Sequence, residues 1–229
     1  VQGETAYSRD EDGTYTPDTP PEQAQPETGM TEQQALTRAL EVLDTLGCAV
    51  QEDGLTVARE TNEYWSREQL RVCFQTQEGT QAEVTFDAQS GYLIGVSDFG
   101  TVQDGGAPMD EASVVAAAEG YYQALPYPQG YVFAGITKFD DAAWMVLFDR
   151  EVRVTVGGET VTLTNDYEQV RITLDPRDGR FLLSNCFYVP LLDDHAEGDL
   201  PVSRHQAEEL ARQKMPDGGA DWTVTVRLG

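Results

Sequence analysis

Val84-Thr85-Phe86-Asp87-Ala88-Gln89-Ser90-Gly91-Tyr92-Leu93 decides the fold, because the chain says it again at Ile172-Thr173-Leu174-Asp175-Pro176-Arg177-Asp178-Gly179-Arg180-Phe181. Both stretches read apolar-Thr-apolar-Asp-x-x-x-Gly-x-apolar. Each lies downstream of an amphipathic segment with a similar opening, Met30-Thr31-Glu32 in one case and Met109-Asp110-Glu111 in the other. A unit that recurs at this spacing predicts an architecture before any motif is considered. The ten-residue pattern also has local chemistry. Asp at the first position of a turn accepts hydrogen bonds from the turn amides. Gly four residues later adopts positive φ without a steric penalty. Asp87 with Gly91, and Asp175 with Gly179, are therefore expected to be structural hairpin turns. A calcium loop would need more oxygen ligands at alternating positions than Ala88, Gln89 and Ser90 supply.

Working outward, Thr31 and Gln34 have the spacing of a capping box. Leu36, Ala39, Leu40, Leu43 and Leu46 continue it as a helical stripe that Gly47 stops. Alternating apolar residues at Leu70, Val72 and Phe74, and again at Ala82, Val84 and Phe86, predict strands. A second helix runs from the Asp110 cap through Val114, Ala117, Ala118, Tyr121 and Leu125 to Pro126 and Pro128. Strands are expected from Tyr131 to Val189, with a tight hairpin at Gly157-Gly158. A third start, Val202-Ser203-Arg204-His205-Gln206-Ala207, leads into one helix and a last strand at Trp222–Leu228.

The expected fold class is α+β, in tandem repeats of one helix packed on an antiparallel β-sheet. The expected organisation is an acidic, Pro-rich linker or tail over 1–29, helix-plus-sheet units over 30–104 and 105–192, and a linker with a partial third unit over 193–229. The tail holds Pro17, Pro20, Pro21 and Pro26, with seven acids against Arg9. Such a segment buries too little apolar surface to offset its ordering entropy. The partial third unit cannot cover both faces of a sheet. Its strand is expected to add to an edge of the second unit or of a second copy, giving a homodimer.

The formal net charge is −25, from 15 Lys and Arg against 40 Asp and Glu. That field repels phosphate backbones and anionic lipid, which argues against nucleic-acid or membrane-surface partners. No apolar run approaches the ~20 residues that span a bilayer, so direct membrane insertion of this segment is not expected. The chain begins at Val1, consistent with an export signal already removed. Cys48, Cys73 and Cys186 are odd in number and lack metal-ligand spacing, so buried thiols are expected.

Chemistry is sparse. With only His195 and His205, no paired-histidine metal helix can form, and neither a Gly-x-Ser-x-Gly elbow nor a phosphate loop is present. No catalytic residue and no cofactor is assigned. Asp193, Asp194, His195, Glu197 and Asp199 are the candidate metal ligands, although their spacing matches no known loop. Tyr127 and Tyr131, set among prolines and Gly130, are the candidate exposed binding rim.

The helix opening, the Ala-rich stripe and the strands ending in apolar-x-apolar-Asp-x-x-x-Gly resemble the PepSY and YcdB/YcdC-type repeats of exported bacterial proteins. The stretch Val202-Ser203-Arg204-His205-Gln206-Ala207-Glu208-Glu209-Leu210-Ala211 is similar to a PepSY opening. The resemblance implies a PepSY/cystatin-like helix-on-sheet unit and a cell-surface or lipoprotein setting, anchored by something outside this segment. It also implies a non-enzymatic role in regulating peptidases or sensing at the envelope, with a protein or peptide partner at a sheet edge or groove. A metal-dependent hydrolase using the acidic surface, and a purely structural spacer, are the alternatives.

Overall fold

Thr31 opens the first helix with a complete capping box: its hydroxyl accepts from Gln34 N–H (3.2 Å) while Gln34 Oε1 accepts from Thr31 N–H (2.9 Å). The helix α1 (Glu32–Thr45) buries Ala35, Leu36, Ala39, Val42 and Leu43. Spaced by three and four, these residues form one stripe. In the computed structural model the described residues are 4–9, 13–17, 29–51, 54–62, 67–77, 79–97, 106–139, 142–156, 159–188, 199–200 and 204–213. After α1 come four antiparallel strands, β3 (Leu55–Asn62), β4 (Arg67–Gln75), β5 (Gln81–Asp87) and β6 (Leu93–Ser97). The second helix, α2 (Glu111–Ala124), is capped by the Asp110 carboxylate accepting from Ser113 N–H (2.8 Å). It leads into β7 (Tyr131–Phe139), β8 (Ala143–Val156), β9 (Glu159–Leu174) and β10 (Phe181–Cys186).

The expectation of tandem helix-on-sheet units is overturned. All eleven described strands belong to one continuous sheet, and its strands dominate the described helices. The two groups of strands join edge to edge, with Val96 opposite Ser184 and Gly95 opposite Asn185. One hydrophobic core runs through both, from Leu36 and Leu43 to Ile172 and Leu174. The physical reason lies in the strand edges. A four-stranded sheet ending at β6 leaves a row of backbone groups unpaired, and so does one ending at β10. Pairing the two edges satisfies both.

Residues read as an acidic linker also enter the sheet. β1 (Glu4–Arg9) pairs with β3, and β2 (Tyr15–Pro17) pairs with β1. Tyr7 is 4% exposed in the core. Burial, with the Glu32 carboxylate beside it, pushes its hydroxyl up to about 12. The edge of β3 supplies the backbone partners that the composition of this segment cannot provide for itself. At the other end, β11 (Asp199–Leu200) runs parallel to the end of β8, and α3 (Arg204–Gln213) follows. The Gly157-Gly158 hairpin, Ser203 and the strand expected at Trp222–Leu228 lie outside the described residues.

Directly opposite residues of neighbouring strands share a face of the sheet. Val72, Val84, Val96, Ser184, Ile172 and Val146 line up across six strands, each at most 2% exposed, under the helices. The adjacent row is Arg71, Thr85, Gly95, Asn185, Arg171 and Leu147. It lies on the opposite face, away from the core, and is mostly polar.

Candidate functional site

The two Asp turns share one hydrogen-bond plan. Gly91 N–H donates to Asp87 O (2.9 Å), and Gly179 N–H donates to Asp175 O (2.9 Å). Asp87 N–H reaches Tyr92 O (2.9 Å), and Asp175 N–H reaches Arg180 O (2.8 Å). Gly91 has φ +74° and Gly179 φ +72°, a region that side chains rarely occupy. Each turn also holds the entry to a helix: Met30 N–H donates to Ala88 O (2.7 Å), and Met109 N–H donates to Pro176 O (2.8 Å). What recurs in this molecule is thus the turn and its grip on a helix start, within a single sheet.

Tyr127 and Tyr131 do not form an exposed rim. They are 1% and 5% exposed. The prolines that suggest a surface loop instead turn the chain inward at the end of α2. Tyr127 hydroxyl donates to Ser184 Oγ (2.5 Å), and Tyr122 stacks on Tyr127 and on Phe148. Tyr122 hydroxyl donates to Pro128 O (3.0 Å) and accepts from Tyr131 N–H (3.2 Å). Burial pushes the hydroxyls of Tyr127 and Tyr131 and the Cys186 thiol up, so all three stay protonated at neutral pH. Beside them is a buried ion pair that the sequence reading did not find: Arg150 Nη1 sits 3.0 and 3.1 Å from the two Glu168 oxygens. Two charges this far removed from water, with Arg150 9% exposed and Glu168 0%, need one another, and Asn165 Nδ2 adds a third contact (3.3 Å).

On the helix-free face, the junction of β6 and β10 forms a cavity of about 310 Å³. That is the lower end of the range for small-molecule sites. Gly95 and Thr85 line it, together with Asn62, Glu83, Leu183 and Tyr188. Gly95 leaves the middle of the trough without a side chain. A Cβ there would meet nothing closer than Thr85 Cβ at 3.8 Å. Gly within a strand was the one sequence signal of this opening, since it marks a close approach or an unfilled space.

The polar walls are mutually braced. Arg71 lies 3.3 Å from Glu60 and 3.4 Å from Glu83, and Gln69 Nε2 donates to Glu60 (2.7 Å). Arg67 closes one end: Nη2 pairs with the buried Asp87 (2.6 Å), Nη1 donates to Tyr188 O (2.9 Å), and the guanidinium lies over the Tyr188 ring. At the other side Arg171 lies over Phe187 and donates to Gln169. The trough is thus bordered by aromatic rings, amides and charges of both signs.

Asp193, Asp194, His195 and Glu197 lie outside the described residues. Asp199 contributes backbone to β11. Among the described residues, no group of three or more His, Cys, Asp or Glu side chains is placed to hold a metal ion. His205 is exposed on α3. Cys73 and Cys186 are buried and no disulfide joins the three cysteines. No described helix is long and apolar enough to cross a membrane.

No protein-family model and no curated protein matches this chain. Among solved structures, its fold is similar to that of the Bacillus megaterium YpeB C-terminal domain, at 13% identity and a TM-score of 0.56. The match covers 83% of this chain and 76% of that chain, and at such low identity the likeness is one of fold.

Proposed function

We propose that this chain is a non-enzymatic binding or regulatory module of a bacterial cell surface, holding a protein or peptide partner and acting outside the cytoplasm. The observation that carries the reading is the trough at the β6–β10 junction, an unfilled opening in the polar face of an otherwise continuous sheet. Its wall residues are braced by one another and by the sheet, so the opening is preformed and binding costs little ordering. The likeness in fold to the YpeB C-terminal domain supports an envelope setting, as does the PepSY resemblance of the sequence. Under this reading the partner is a peptidase or an envelope signal, and the module regulates by occupancy.

Gly95→Val tests it. Valine favours strand geometry and would fill the trough. Peptides selected from a displayed random library against the parent protein should lose about tenfold or more in affinity for the variant. Selected peptides that bind both proteins alike, or a library that yields none, would count against the trough. Cleavage of a bound peptide, read by mass spectrometry, would overturn the non-enzymatic assignment.

A further inference from the structure

β7 spans nine residues and among the described residues pairs only with β8. Its outer edge therefore carries backbone groups with no described ladder. Among the described residues, three of the five exposed large hydrophobics lie on this one strand: Val132 (37%), Phe133 (45%) and Phe139 (50%). Proteins normally blunt such an edge with proline, shortness, a bulge or an outward lysine. The opposite edge of the sheet is blunted in this way, since β2 is three residues long and ends at Pro17. β7 has a bulge between Phe133 and Gly135 but no proline. Its lysine is engaged elsewhere: Lys138 Nζ pairs with Glu111 of α2 and lies 4.2 Å from the Trp144 ring centroid. The first amide of the strand, Tyr131 N–H, is taken by the Tyr122 hydroxyl, so the open ladder runs from Val132 onward.

Charge selects the occupant. The chain carries −25, and an exposed acid stands at the start of the strand. Glu151 is held there by donating its N–H to Gly130 O (2.8 Å). A second copy would bring another −25 against this surface, which opposes self-pairing. We propose that β7 is a strand-addition site for an extended segment of a partner protein in which basic and apolar residues alternate. The apolar residues would cover Val132 and Phe139, which lie opposite Asp149 and Ala143 on one face, the backbone would continue the ladder, and the basic residues would answer the acidic surroundings. The inference rests on reading the chain as a binding module, but it uses a different surface from the trough.

The probe is a synthetic octapeptide of alternating Lys and Val. Two controls accompany it: one of equal charge with a central Val replaced by Pro, and one with Glu for Lys. Backbone amide shifts and affinity are measured by NMR titration. The Lys–Val peptide should shift amides of Val132–Phe139, and both controls should bind about tenfold or more weakly. Val132→Lys and Phe139→Lys, both at exposed positions of that face, should weaken binding to the same degree with unchanged circular dichroism, while Gly95→Val leaves it intact. Equal binding of the Pro peptide, shifts located elsewhere or no binding would overturn the proposal. So would a protein that sediments as a dimer with its β7 amides already protected. A failure confined to the Gly95→Val arm of the library experiment would instead strike the trough and leave this edge standing.

Discussion

The turn at Asp87 and the turn at Asp175 share a backbone and differ in where their countercharge comes from. Asp87 takes Arg67 from the start of β4, and that same guanidinium reaches on to Tyr188 O beyond β10. Asp175 takes Arg177 from within its own turn, at 2.9 Å through Nε and 3.3 Å through Nη2. Both carboxylates are buried, so both need a partner. The first turn meets that need by tying distant parts of the sheet together, and the second meets it locally. The grip on the helices differs as well. Arg38 of α1 donates to Gly91 O (2.7 Å), whereas Ala117 of α2 faces Gly179 as a plain apolar contact. One sequence pattern can thus serve as a brace between elements or as a closed local unit, depending on a single arginine.

The largest expected effect separates the two. Arg67→Ala should destabilise by about 3 kcal/mol, because it leaves Asp87 buried with only Ser90 and frees Tyr188 O. Arg177→Ala should cost about 1–2 kcal/mol, because Asp175 keeps the Arg177 amide and Arg180 stands 4.0 Å away. Urea unfolding of both variants checks this, and equal losses would erase the distinction. Next, Gly179→Val should cost about 1–3 kcal/mol from positive φ, and Gly91→Val a similar amount. An unchanged melting temperature for either would mean that the shared backbone is not under shared constraint.

The smallest effect concerns the helix each turn holds. α1 is capped by a neutral hydroxyl, α2 by the Asp110 carboxylate, whose hydrogen bond to Ser113 N–H holds it below its ordinary value of 3.8. A depressed carboxylate stabilises above its unfolded pKa and loses that contribution as pH falls through the folded one. Amide exchange in the first turn of α2 should therefore speed up on acidification below about pH 4 more than in α1. Asp110→Asn should remove the difference.

The helices were legible because capping is a local code: Thr31 with Gln34, and Asp110 with Glu111 after it, sit within one turn of what they cap. The turns were legible for the same reason, with acceptor and glycine four residues apart. The junction was not. Gly95 and Asn185 are far apart in the chain, and the rule that joins them, the pairing of two strand edges, leaves no mark in either segment. Tyr127 and Tyr131 misled because prolines mark a loop but do not say whether it faces water or a core. Residues 4–9 misled because acidic flanks outweighed Tyr7 in the composition, and only the edge of β3 shows why Tyr7 is buried.

The junction has a consequence for the order in which the chain can fold. α1 and β3 to β6 are contiguous and can assemble from one stretch of chain, whereas the two pairs at the junction wait until β10 is in place. During that interval β6 is an open edge. It is only five residues long, and Gly95 weakens its hold on any wrong partner. The glycine that leaves the trough empty in the finished protein also makes the half-folded chain a poor template for aggregation.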